Sequence, residues 1–223
     1  MSFITNIRSV AKYESKILVR SWFFRIFTLL AVVFLGFINF AMMLMEDNFG
    51  LWFVKAVSSN IPYLNLLLLN TGQAVVAVFL SSEFLKRDKK LDTSEVFYVR
   101  PLSNAEYVVG KIWGNLRVFL LLNLLVLTIV LAFNFMASGI AVDLPAYGVY
   151  FLLISIPTLI FIIGLSIFLM LLLRNQALTF ILLLGYIGLT LFYIQDKFYY
   201  LFDYMVYNLP LFKSTIVGFS SLE

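Results

Sequence analysis

Five apolar stretches, each long enough for a helix to cross a bilayer, set the limits on what this chain can become. They run from Trp22 to Met45, Ile61 to Ser82, Ile112 to Met136, Ala146 to Leu173 and Ala177 to Ile194. A hydrocarbon core of about 30 Å takes roughly 20 helical residues, and inside it every backbone N–H and C=O has to be satisfied within the protein. Composition points the same way. Of 223 residues, 62% are hydrophobic and 13% charged, against about 25% charged in ordinary soluble domains. The runs do not alternate as barrel strands do. The expected fold class is therefore all-α: a polytopic membrane helical bundle, one domain with five transmembrane helices. Pro157 removes a backbone donor, which predicts a kink or tilt near the start of the fourth span.

The basic residues set orientation. Arg8, Lys12, Lys16, Arg20 and Arg25 precede or open the first span. Lys86, Arg87, Lys89, Lys90, Arg100, Lys111 and Arg117 flank or fill the loop between spans two and three, and Arg174 sits in a tight turn between spans four and five. These regions hold 13 of the 16 basic residues, leaving Lys55, Lys197 and Lys213 for the other side. Short basic loops stay cytoplasmic, so the N-terminus is expected inside. In such a protein the net charge of +4 reports topology before it reports nucleic acid, and no nucleic-acid partner is expected.

Several chemistries are excluded by what the chain lacks. It has no cysteine and no histidine, so it offers no thiolate nucleophile, imidazole relay or Cys- or His-ligated metal. No catalytic cluster and no metal site is expected. No carboxylate pair or buried Lys of the kind a proton-coupled carrier uses falls inside the spans.

At each end a segment departs from the spanning pattern. Residues 1–21 read as an interfacial amphipathic helix. Phe3, Ile4, Ile7, Val10, Ala11, Ile17 and Leu18 share one face, and Arg8, Lys12, Lys16 and Arg20 recur every fourth residue on the other, a pattern suited to an anionic membrane surface. Glu14 intrudes on the apolar side without an explanation in the pattern. Residues 198–223 are aromatic but broken by Asp203, Asn208, Pro210 and Lys213, which suits a re-entrant or interfacial segment better than a sixth crossing. The chain is expected to be the front part of a longer protein.

Within the spans, Asn65, Asn70 and Gln73 share a face of the second helix, and Asn115, Asn123 and Asn134 share one of the third. Two readings fit: a polar lining along a substrate path, or hydrogen bonds that hold helices together. Gly185 and Gly188 are expected to allow close helix packing.

The stretch from Ser82 to Gly114 is the most informative. Charges of both signs crowd residues 83–92, an aromatic-apolar run follows at 96–99, and Ser103 with Glu106 forms a capping pattern for the next helix. Mixed charge beside Phe97 and Tyr98 suits a docking surface. The acidic close of the second span, the Thr93-x-Glu95 pair, Pro101-Leu102-Ser103 and the Gly110-Lys111 opening of the third span resemble the permease subunits of type 2 ABC transporters, nearest in style to those of Bacteroidetes-like bacteria. The likeness lies in the order of elements over the whole chain. It implies a bacterial inner-membrane exporter subunit that pairs with a second copy or homologue, among membrane lipids, and docks a cytoplasmic ATPase in which ATP and Mg are bound. By position it places Glu83, Arg87, Asp88, Asp92, Thr93, Glu95, Arg100 and Pro101 at the ATPase contact, within a coupling loop over 83–106, and Lys111 at the base of the third span. The family's sixth span is missing from these residues. A non-transporting scaffold or sensor that recruits another cytoplasmic protein is the alternative; a lipid-modifying membrane enzyme would need a catalytic cluster that the sequence does not offer.

Overall fold

The computed structural model describes residues 3–44, 59–88, 103–136 and 142–193 and the two short strands given below, with side chains left aside at 81–88 and in the strands. Seven α-helices carry nearly all of it: α1 Phe3–Arg20, α2 Trp22–Leu44, α3 Asn60–Asp88, α4 Asn104–Met136, α5 Leu144–Tyr150, α6 Ile156–Leu173 and α7 Gln176–Phe192. A π-helical turn, Phe151–Ser155, joins α5 to α6. Lys213–Ser214 and Gly218–Phe219 pair as a two-residue antiparallel ladder, Lys213 opposite Phe219.

Four stretches are long and apolar enough to cross a membrane: Trp22–Leu44, Asn60–Leu80, Asn104–Met136 and Leu144–Leu173. The chain is thus a multi-pass membrane protein by length and composition. The fifth apolar helix, Gln176–Phe192, has 17 residues, about 25 Å at 1.5 Å per residue, slightly under the core thickness.

Helix α3 occupies the middle of the bundle, in contact with α2, α4, α5, α6 and α7. Its Leu66, Ala74, Ala77 and Val78 are fully buried against Val126 and Val130 of α4, Ile162 and Ile163 of α6 and Leu183 of α7, all in one core. Helix α2 lies at the periphery. Leu29, Leu30, Phe34 and Phe37 are exposed, a surface that suits lipid and would be untenable in water.

The turns follow their local chemistry. Asp143 caps α5 by accepting from the Ala146 N–H, and Asn175 caps α7 by accepting from Ala177 and Leu178. Arg174 takes the left-handed conformation, φ 52°, to end α6, so two residues suffice to reverse the chain. The disturbance expected at Pro157 sits one turn earlier. With no N–H on Pro157 the regular ladder cannot continue through it, and Ile156 donates instead to Phe151, five residues back. Gly185 and Gly188 do not mark a close approach here: a Cβ at either would meet nothing within 4 Å.

Buried amides tie the spans together. Asn39 of α2 and Asn65 of α3 donate to each other's carbonyl oxygens at 2.7 and 3.2 Å. A second chain crosses three elements. Gln73 donates to Asn70, Asn123 of α4 donates to Gln73 at 2.7 Å, and Ser155 of the π turn donates to Asn123 at 2.9 Å. Near the other end Asn134 donates to the Tyr147 hydroxyl at 3.0 Å. Where no water competes, each such bond is worth about 0.6 kcal/mol on average and up to about 1.7. A Gln73→Ala/Asn123→Ala double-mutant cycle, followed by thermal unfolding in mild detergent, should therefore give a coupling of about 0.6–1.7 kcal/mol. Strictly additive single effects would show that this contact contributes nothing.

Candidate functional site

Of the residues singled out in the sequence, Glu14, Lys111 and the Ser103–Glu106 cap come together where α1 meets the first third of α4. From Ile7 onward α4 covers the apolar face of α1, while Phe3 and Ile4 at its start stay exposed. Ile7 and Val10 are half-buried and Ala11 and Leu18 buried, together with Glu14 and Ser15, whereas Arg8, Lys12, Lys16 and Arg20 stay exposed on the opposite face. The N-terminal helix is thus part of the bundle. Its basic stripe points away from it.

Two glycines permit the contact. A Cβ on Gly110 would come within 2.7 Å of Val10 Cβ, and one on Gly114 within 2.8 Å of the Ala11 carbonyl oxygen. Both distances are shorter than atoms tolerate, so the helices approach to where only glycine fits. Polar groups line the same seam. The Ser15 hydroxyl lies 2.8 Å from both the Ala11 and the Gly114 carbonyl oxygens, sharing one proton between them. Arg117 donates to Ser15 Oγ at 2.6 Å and to the Ala11 carbonyl at 3.3 Å.

The ion pair accounts for Glu14. Its Oε1 lies 3.3 Å from Lys111 Nζ, with side chains 3% and 5% exposed respectively. The ammonium also sits 4.8 Å above the Tyr107 ring, a cation–π contact. Two charges this deeply withdrawn are tolerated only as a close pair, since either alone would keep its desolvation penalty uncompensated.

The seam ends at the loop exit. Ser103 Oγ accepts from the Glu106 N–H at 3.2 Å, and Glu106 accepts from the Ser103 N–H at 2.8 Å, a reciprocal cap. Glu106 also accepts from Asn6 Nδ2 at 3.1 Å. From Asn6–Glu106 through Val10–Gly110 to Ser15–Arg117 the partners advance together, so α1 runs alongside α4 in the same direction.

Of the residues assigned by resemblance, Lys111 is in the seam. Glu83, Arg87 and Asp88 fall in the last turns of α3, and Asp92, Thr93, Glu95, Arg100 and Pro101 lie outside the described residues. The amides Asn65, Asn70, Gln73, Asn123 and Asn134 are all buried and bonded, four of them to another helix or turn, while both polar atoms of Asn115 are buried without a partner. Among the described residues no three Asp or Glu side chains converge on a metal-sized site. Sequence reasoning missed the partners Asn39, Ser155 and Tyr147; of these only Asn39, a lone amide in an apolar span, carries a signal.

The seam makes a sharp prediction. Lys111→Met alone strands Glu14 and should destabilise by about 3–5 kcal/mol, whereas Glu14→Met with Lys111→Met should recover most of that loss. Thermal unfolding, with trypsin cleavage at Lys12 and Lys16 as a local readout, checks both. A double variant as unstable as the single one would contradict the pairing. No family model, no curated protein and no solved structure matches the chain.

Proposed function

We propose that this chain is the transmembrane subunit of an ATP-driven exporter of the type 2 ABC kind. In this reading it crosses the membrane five times, α7 included, with its N-terminus in the cytoplasm. It pairs with a second permease copy or homologue, and a separate cytoplasmic ATPase binds ATP and Mg. The chain is then not an enzyme by itself. The observation that carries the reading is the seam at the loop exit. Residues 83–106 leave α3 and enter α4 at the Ser103–Glu106 cap, and that cap is bonded to Asn6. A push on the loop therefore meets a braced unit of two helices joined by Glu14–Lys111, which passes displacement into the third span. A single unbraced helix end would absorb the same push by fraying.

The buried amides fit this function as fasteners between spans. Apart from Asn115 they are bonded to one another or to a neighbouring hydroxyl, which leaves them as contacts to be exchanged when helices rearrange. Such exchange is the discrete kind of change that packed cores allow.

The direct experiment is to tag the full-length protein in its native membrane, purify it in mild detergent and identify what accompanies it. The reading predicts an ATPase with a phosphate-binding loop. Charge reversal at Arg87 and Asp88 should weaken that association about tenfold or more while membrane insertion stays intact. Unchanged binding would remove these residues as contacts. Capture of a stable partner without nucleotide hydrolysis would favour a scaffold instead.

A further inference from the structure

Two arginines mark one edge of the hydrocarbon. From Val118 to Met136 α4 carries no ionisable side chain, and from Ile26 to Leu44 neither does α2. Each run is about 28 Å long at 1.5 Å per residue and matches the hydrocarbon thickness of about 30 Å. Arg117 and Arg25 immediately precede these runs, so the segment of α4 from Asn104 to Arg117 extends out of the hydrocarbon. The runs begin side by side, with the Phe24 and Phe119 rings edge to face at 5.5 Å. The two guanidinium groups therefore stand at the same depth, at the level of the lipid headgroups.

Both are held against one side of α1. Arg117 donates through Nε and one Nη to Ser15 and Ala11, and Arg25 donates through Nε to the Val19 carbonyl oxygen at 3.0 Å. Ala11, Ser15 and Val19 recur every fourth residue and form one stripe of the helix. From Ser15 to Val19 is about 6 Å along its axis. One Nη of Arg117 and both of Arg25 have no partner among the described residues.

Neither arginine has a counter-ion among the described residues. The carboxylates of α1, α2 and α4 are Glu14 and Glu106 alone. Glu14 is paired with Lys111, and Glu106 accepts from Ser103 and Asn6. Cations at the edge of hydrocarbon without a protein anion need one from outside. The residues in line with each arginine suit a lipid. On α4, Trp113 one turn outward and Leu121 one turn inward are exposed, and on α2 Trp22 and Leu29 are exposed in the same order. Tryptophan at this depth belongs to the headgroup belt, and the leucines beneath it face acyl chains.

We infer that Arg25 and Arg117 together hold the phosphodiester of one anionic phospholipid, on the α1 stripe between Ser15 and Val19. Guanidinium groups take phosphate through paired N–H donors, and basic sites between spans are where anionic headgroups lodge. The lipid supplies the anion that these helices lack and bridges α2 to α4 across the end of α1. The inference does not depend on the transporter reading.

The test is native mass spectrometry of the full-length protein in mild detergent, titrated with phosphatidylglycerol or with phosphatidylcholine of the same chain length. Wild type should bind its first phosphatidylglycerol about tenfold or more tighter than phosphatidylcholine. R25Q and R117Q should each weaken that binding about fivefold, and R174Q, which removes an exposed arginine from the α6–α7 turn, should stay within about twofold of wild type. Arg117 also braces the seam, so R117K, which keeps the charge and should retain most of the binding, separates a lost cation from a lost fold. R25Q alters an exposed side chain and should leave thermal unfolding in lipid-free detergent nearly unchanged. Equal affinity of wild type for the two lipids would overturn the inference. So would wild-type affinity in R25Q or in R117Q, or an equal loss in R174Q. Thermal stabilisation by inorganic phosphate as large as that by phosphatidylglycerol would also overturn it, assigning the arginines to a free anion.

Discussion

The arrangement depends on the burial of Glu14 beside Lys111. Taking either ion out of water costs several kcal/mol, and only close apposition offsets that cost. The pair consequently acts as a register lock. Sliding or turning α1 by one residue separates the charges and leaves Lys111 buried without its counter-ion. Gly110 and Gly114 make the lock possible by letting the backbones approach, and Ser15 and Arg117 then fill the polar valences that the approach would otherwise leave open. With α1 fixed, the cap at Ser103 and Glu106 has a rigid neighbour, and the extension of α4 beyond the hydrocarbon is a supported strut.

Deeper in the bundle the fastening is of another kind. Apart from Glu14, Glu106 and Lys111 no charged side chain is buried among the described residues, and Asn39, Asn65, Gln73, Asn123, Asn134 and Ser155 bond from one helix or turn to another. Neutral hydrogen bonds of modest strength hold the spans, while a charged and much less forgiving contact holds the helix at the loop exit. In the proposed transporter, that division would let spans rearrange while the loop-exit unit keeps its shape. The π turn at Phe151–Ser155 adds a local irregularity, produced by Pro157, from which Ser155 reaches Asn123.

Much of this was legible in the residues. Long apolar runs announce spanning helices because the bilayer leaves no other way to satisfy the backbone. The Ser103–Glu106 cap and the Arg174 turn are local patterns and appear as read. The role of α1 was harder to see. An apolar face backed by cations describes a helix on a membrane and equally a helix on another helix, and amphipathicity does not say which surface covers it. Glu14 was the clue, since a carboxylate on an apolar face needs a cation, but Lys111 lies 97 residues away and periodicity is local. Small residues posed the same ambiguity: Gly110 and Gly114 mark a close contact and Gly185 and Gly188 do not, because a glycine's meaning depends on what faces it. Asn39 as the partner of Asn65 required knowing which spans are neighbours.

The most direct test of the account is the proximity of α1 to the loop-exit end of α4 in native membranes. The chain has no native cysteine, so introduced pairs report without background. Asn6→Cys with Glu106→Cys should be joined readily within one chain by a short bismaleimide, and Lys12→Cys with Glu106→Cys, which places one thiol on the opposite face of α1, should react far less. Equal yields for the two pairs, or no cross-link at Asn6–Glu106, would mean that α1 lies elsewhere, and the braced seam would have to be abandoned.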